Sequence, residues 1–162
     1  MSIADSMGRQ AREKAAAALS EPVLDAVLVN RYGTLSAILT STAMSIGTGG
    51  YGGAWVPKDG IQRAGHKPIP LPHAFLLAVT ANAIHVFTVR MIMGRLKVKK
   101  PLGVFERAGL QLAVEHRSMV TVFGIRAPRQ RQEMTFEIMR SEYADSFAAL
   151  LAQGDPRNPT AT

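Results

Sequence analysis

The chain has 162 residues, 47% of them apolar and 19% charged, and it contains no cysteine. That length and composition describe one globular domain with a proper core, neither a disordered chain nor a pair of domains. Disulfides, thiolate nucleophiles and cysteine-ligated metals are excluded, and the composition fits a cytoplasmic protein, free or peripheral to a membrane.

Residues 2 to 19 read as a helix. Ser2 caps it, Asp5 completes a capping box, and Ser20-Glu21-Pro22 stops it. Its apolar stripe (Ile3, Met7, Ala11, Ala15, Ala18, Leu19) is rich in alanine, so it is expected to pack lightly on the body or on another copy. Arg9, Arg12 and Lys14 are followed by no apolar run, and no secretory signal is expected. Val23 to Asn30 is the first expected strand. Tyr32 to Pro57 carries no charge, but its Gly, Ser and Thr content argues against a membrane span. Within it, Thr34 to Ile46 suits a helix or two short strands equally well. The Gly47–Gly53 loop and the prolines at 57, 68, 70 and 72 complete an N-terminal arm over residues 1–69, part of the same domain.

From His73 onward the hydrophobic period becomes two. Expected strands cover Phe75–Thr80, Ile84–Val89, Arg95–Lys99, Pro101–Arg107, Leu110–Glu115, Val120–Ile125 and Met134–Ile138, separated by short turns. Ser141 caps a last helix with Glu142 and Asp145 in its first turn and a Tyr143, Phe147, Leu150, Leu151 stripe; Gly154 and Pro156 end it. The fold class is therefore α+β: an antiparallel β-meander or partly open barrel over residues 70–153, closed by the C-terminal helix, with a disordered tail over 154–162.

The segment Leu76-Leu77-Ala78-Val79-Thr80-Ala81-Asn82-Ala83-Ile84-His85-Val86-Phe87 resembles the L-x-V-T-x-x-x-I/L-x-x-F hairpin of small bacterial pleckstrin-homology-like (PH or GRAM-type) domains. Phe147 and Leu150-Leu151 are similar to the packing face of that family's final helix. The resemblance implies a scaffold that binds lipids, peptides or proteins. The chain departs from it at Ala83, where a basic residue is common, and in the length of its first 70 residues.

No catalytic constellation stands out. Gly47-Thr48-Gly49-Gly50-Tyr51-Gly52 fits G-x-G-x-x-G, but Pro57 and Asp59-Gly60 follow where a helix would have to start. His66, His73, His85 and His116 show no metal-ligand spacing, and no metal or cofactor is expected. Ser36, Ser41 and Ser45 have no nucleophile context, and Glu133 and Glu137 fall on the outer face of one strand. The chain reads as a non-enzymatic binding or assembly module.

The net charge of +7 is concentrated: residues 90–131 hold ten Lys/Arg against Glu106 and Glu115. Arg95, Lys97, Lys99 and Lys100 on one strand, with Arg126, Arg129 and Arg131 about a turn, form a candidate anion-binding set should the fold bring them together. The expected partners are a second copy or another protein, or an anionic membrane surface. Nucleic acid is disfavoured, because the set has little aromatic material for stacking. A small-ligand pocket or enzyme inside the barrel is the remaining alternative.

Overall fold

The computed structural model describes residues 3–35 and 58–153. The Ser2 cap, most of segment 34–46, the glycine-rich loop and the tail lie outside them. In chain order the elements are α1 (Ile3–Ala18), β1 (Val23–Arg31), β2 (Ile61–Arg63), β3 (Ala74–Thr80), β4 (Ala83–Ile92), β5 (Arg95–Glu106), β6 (Gln111–His116), β7 (Val120–Ala127), β8 (Gln132–Met139) and α2 (Glu142–Ala152). A single 3-10 turn, Pro128–Gln130, joins β7 to β8.

All strands belong to one antiparallel sheet in the order β5-β4-β3-β1-β8-β7-β6, with β2 added beside β8. Each half is a meander of sequential neighbours. β1 is the splice: it pairs along its length with β3 and at Asn30 and Arg31 with Glu137 and Phe136 of β8. The sheet stays open between its edge strands β5 and β6.

Two expected strands, Arg95–Lys99 and Pro101–Arg107, are one strand of 12 residues. Proline cannot donate to a ladder and reads locally as a break, but an edge strand tolerates it at an irregularity. The β4–β5 register shifts on both sides of Phe87, the partner of Pro101. There Thr88 Oγ1 accepts from Lys100 N at 2.8 Å and donates to Lys100 O at 3.4 Å, so the neighbouring peptide keeps its partners.

The main core joins the inner faces of both halves. Val29, Phe75, Leu77, Val86 and Phe105 meet Phe123, Ile125 and Phe136, and α2 seats Ala144, Phe147 and Leu151 among them. Phe123 and Phe136 stack at 5.0 Å, and Phe147 meets both edge-on at 6.0 and 6.4 Å, an arrangement that suits the ring quadrupoles. Ser141 caps α2 as expected, its side chain accepting from Ala144 N. The expected stripe holds at Phe147 and Leu151. Tyr143 instead lies toward the surface and bonds Asp25 at 2.9 Å, burial first and then that carboxylate raising its pKa.

α1 covers the outer face of the first half, with Ala11 and Ala15 fully buried against Ala26, Leu76, Ala78, Phe87 and Leu96. The weak alanine stripe is thus a close-packing surface. On the outer face of the second half, Tyr32 and Leu35 pack on Ala113, Val120 and Val122. Glu137 lies on this outer face, as its position in β8 predicts, yet it is completely buried and accepts a hydrogen bond from Leu35 N. No helix among the described residues is long and apolar enough to cross a membrane.

Candidate functional site

The basic residues of segment 90–131 sort into three groups. Arg107 and Arg117 are buried and structural. Arg107 donates to Thr80 O at 2.9 Å and, at the C-terminal end of α2, to Leu150 O at 2.7 Å; burial lowers its pKa. Cations there complement the helix dipole and its unpaired carbonyls. Arg117 grips Glu115 through two nitrogens at 3.1 and 3.4 Å and lies 5.5 Å over the Tyr32 ring.

The second group lies on the β4–β5 hairpin. Register pairs Arg90 with Lys97 and Ile92 with Arg95. Directly opposed residues in an antiparallel pair share a face, so Arg90, Ile92, Arg95, Lys97 and Lys99 crowd one side of the ribbon. The other side carries Leu96, Val98 and Val89, which pack toward α1. None of Arg90, Arg95, Lys97, Lys99 and Lys100 forms an ion pair among the described residues, and all five are exposed.

A two-residue turn closes the hairpin. Met93 has φ +50° and Gly94 φ +76°, both left-handed, as a type I′ turn requires. Methionine at the first of these positions is strained relative to Asn or Gly, and here its side chain is 97% exposed with Met91 half-exposed below it. The hairpin is braced from α1: Gln10 Oε1 accepts from Leu96 N at 3.0 Å, and Gln10 Nε2 donates to Gly94 O at 3.4 Å.

The third group, Arg126 and Arg131, lines a cleft of about 400 Å³ together with Lys58, Arg63, Gln62, Gln132 and Glu133. Arg129 is exposed on the adjoining turn. The expected union with Arg95–Lys100 is not made. Gln130 and Gln132 fasten the turn to β5 at Val104 and Glu106. Val104 lies four residues beyond Lys100, about 13 Å along a strand at 3.3 Å per residue. The single candidate set is two surfaces.

Sequence reading missed Arg90, Met91 and Met93 as site residues, and it missed Lys58 and Arg63 altogether. The Met93-Gly94 pair between alternating strands was the available hairpin signal. Nothing local announces that β2 will pair with β8 some 70 residues later.

Elsewhere, two histidines face carboxylates. His85 Nε2 lies 3.1 Å from Glu21 Oε1, and hydrogen bonds from Thr80 and then His85 hold the Glu21 carboxyl below its usual range. Among the described residues, Thr121, His116 and Asp145 form the nearest approach to a hydroxyl–imidazole–carboxylate relay. It is a poor one: Thr121 is fully buried, and the exposed Asp145 is 4.0 Å from the imidazole. No group of three metal-ligating side chains occurs among the described residues. A groove of about 570 Å³ between α1, β1 and β8 is lined mainly by Met7, Val27, Leu28, Ile138, Met139 and Tyr143. Compared with known proteins, the chain matches no family model, no curated protein and no solved structure.

Proposed function

We propose that the protein is a non-catalytic binding module that docks on anionic bilayers through the β4–β5 hairpin of a pleckstrin-homology-like scaffold. The observation that carries this reading is the directly opposed Arg90–Lys97 pair, set with Arg95 and Lys99 beneath an exposed Met93. Like charges facing each other across a ribbon oppose folding, and no ion pair among the described residues relieves them. An external polyanion does. The scaffold reading draws support from the strand order: two meanders, β1-β3-β4-β5 and β6-β7-β8, are joined where β1 pairs with β8, and one helix follows.

The apolar tip favours a bilayer over a nucleic acid. A methionine on a left-handed turn offers no stacking platform, whereas a bilayer buries it below the phosphate plane. Each cation near an anionic leaflet contributes about 1 kcal/mol, so the four that share the face supply on the order of 4 kcal/mol. Burial of one methionine adds roughly 2 kcal/mol. The sum corresponds to modest, reversible, salt-sensitive attachment.

Flotation on phosphatidylcholine vesicles with and without phosphatidylglycerol tests this. Binding is expected only to the anionic vesicles, falling as salt rises and lost in Lys97→Glu/Lys99→Glu. No flotation on anionic vesicles at low salt ends the reading.

A further inference from the structure

We infer that the cleft between β2 and β8 is a second anion site, built for a phosphate monoester dianion and independent of the hairpin. Four cationic side chains, Lys58, Arg63, Arg126 and Arg131, line it around a single carboxylate, Glu133. That carboxylate is already engaged, with Lys58 Nζ at 3.0 Å and Arg126 Nε at 3.2 Å. Arg63 and Arg131 remain without an acidic partner among the described residues.

Arg63 is the more telling of the two. Its Nη2 has only a long 3.5 Å approach to Lys67 O, and because Nε is sealed from solvent without an acceptor, the Nη edge is the one a ligand can reach. A partly buried guanidinium with donors left over is the residue type that takes a planar or tetrahedral oxyanion through two bonds. A divalent anion fits better than a monovalent one, because two guanidinium groups remain to be neutralised.

The walls are fixed before any ligand arrives. β2 is zipped to the returning chain by Ile61 N to Ile69 O at 2.8 Å and Ile69 N to Ile61 O at 2.9 Å. Gly60 makes this close return possible: its φ is +79°, and a Cβ there would stand 2.6 Å from Ile69 O. Ala64 N donates to Arg131 O at 3.0 Å, tying the two guanidinium-bearing segments together. Arg131 itself holds a left-handed φ of +54°, closed by its N–H to Pro128 O. The backbone that carries both guanidinium groups is thereby fixed before a ligand arrives.

The dianion has two sources, a free phosphate monoester or a phosphomonoester headgroup in a bilayer. Titration calorimetry of the whole chain with inorganic phosphate and with glycerol 3-phosphate examines the first. Flotation of a Lys97→Glu/Lys99→Glu variant on phosphatidate-containing vesicles examines the second, with hairpin attachment removed. Saturable binding to either soluble probe, weakened at least tenfold by Arg63→Gln and by Arg131→Gln, is the expected result; flotation with the same dependence would instead assign the lipid-borne source. Glu133→Gln should tighten binding, since it removes the internal competitor, and Lys14→Gln, exposed on α1 and outside both sites, should leave the calorimetric affinity unchanged. Circular dichroism of each variant guards against misfolding. Absence of saturable binding in both arms, or binding indifferent to Arg63→Gln and Arg131→Gln in folded variants, overturns the assignment.

Discussion

The two ends of β5 handle the same kind of charge in opposite ways. At its C-terminal end, Gln130 accepts from Glu106 N at 2.8 Å, Gln130 and Gln132 donate to Val104 O, and Arg107 satisfies two carbonyls. At its N-terminal end, Arg95, Lys97 and Lys99 share a face with Arg90 and form no ion pair among the described residues, below a methionine exposed to water. Arg107, at the first end, closes the fold. The cations at the second end oppose one another at a local electrostatic cost, the feature on which the proposed docking rests.

The largest effect belongs to the closed end. Arg107→Ala strands Thr80 O and Leu150 O in a buried setting and should cost about 3 kcal/mol in denaturant unfolding. A loss below 1 kcal/mol would show that the cation is not holding α2 to the β3–β4 turn. Met93→Asp at the open end should leave unfolding within about 0.5 kcal/mol of the parent, as exposed positions do. The same change should lower vesicle affinity roughly thirtyfold, because burial of that side chain is worth roughly 2 kcal/mol. Equal vesicle binding by parent and variant would remove the apolar tip from the account.

A smaller effect separates the ends by pH. Glu21 sits at the closed end with Thr80 and His85, and its folded-state pKa lies below the ordinary value. A depressed carboxyl pKa contributes stability that is present above the unfolded pKa and lost as pH falls through the folded one. Glu21→Gln should therefore lower Tm at pH 7, with the gap to the parent closing below about pH 4, near the ordinary carboxyl range. A gap that is constant with pH would assign the loss to packing rather than to ionisation.

Much of this architecture is legible in the sequence because most strands alternate cleanly and lie next to their partners. The Thr80–Ala83 turn, the Ser141 cap and the Phe147–Leu151 face can be read from local pattern alone. The central place of β1 cannot, since its partners at 74–80 and 136–137 are distant in the chain. Continuity of β5 is hidden by Pro101, whose register irregularity depends on the Thr88 side chain. Charge counting weighs all ten cations alike, although burial of Arg107 and Arg117 withdraws two from the surface. The cleft depends on β2 reaching β8, so Lys58 and Arg63 carry no local mark of their role.

Lys97→Glu tests the central claim most directly, because it asks one residue two questions. Replacing a like-charged cross-strand pair with an opposite one should stabilise the fold by roughly 0.5 kcal/mol in denaturant unfolding. Flotation on phosphatidylglycerol vesicles by the same variant should fall severalfold at low salt. Greater stability with weaker vesicle binding is the result this account predicts; a variant that is less stable, or that floats as well as the parent, would contradict it.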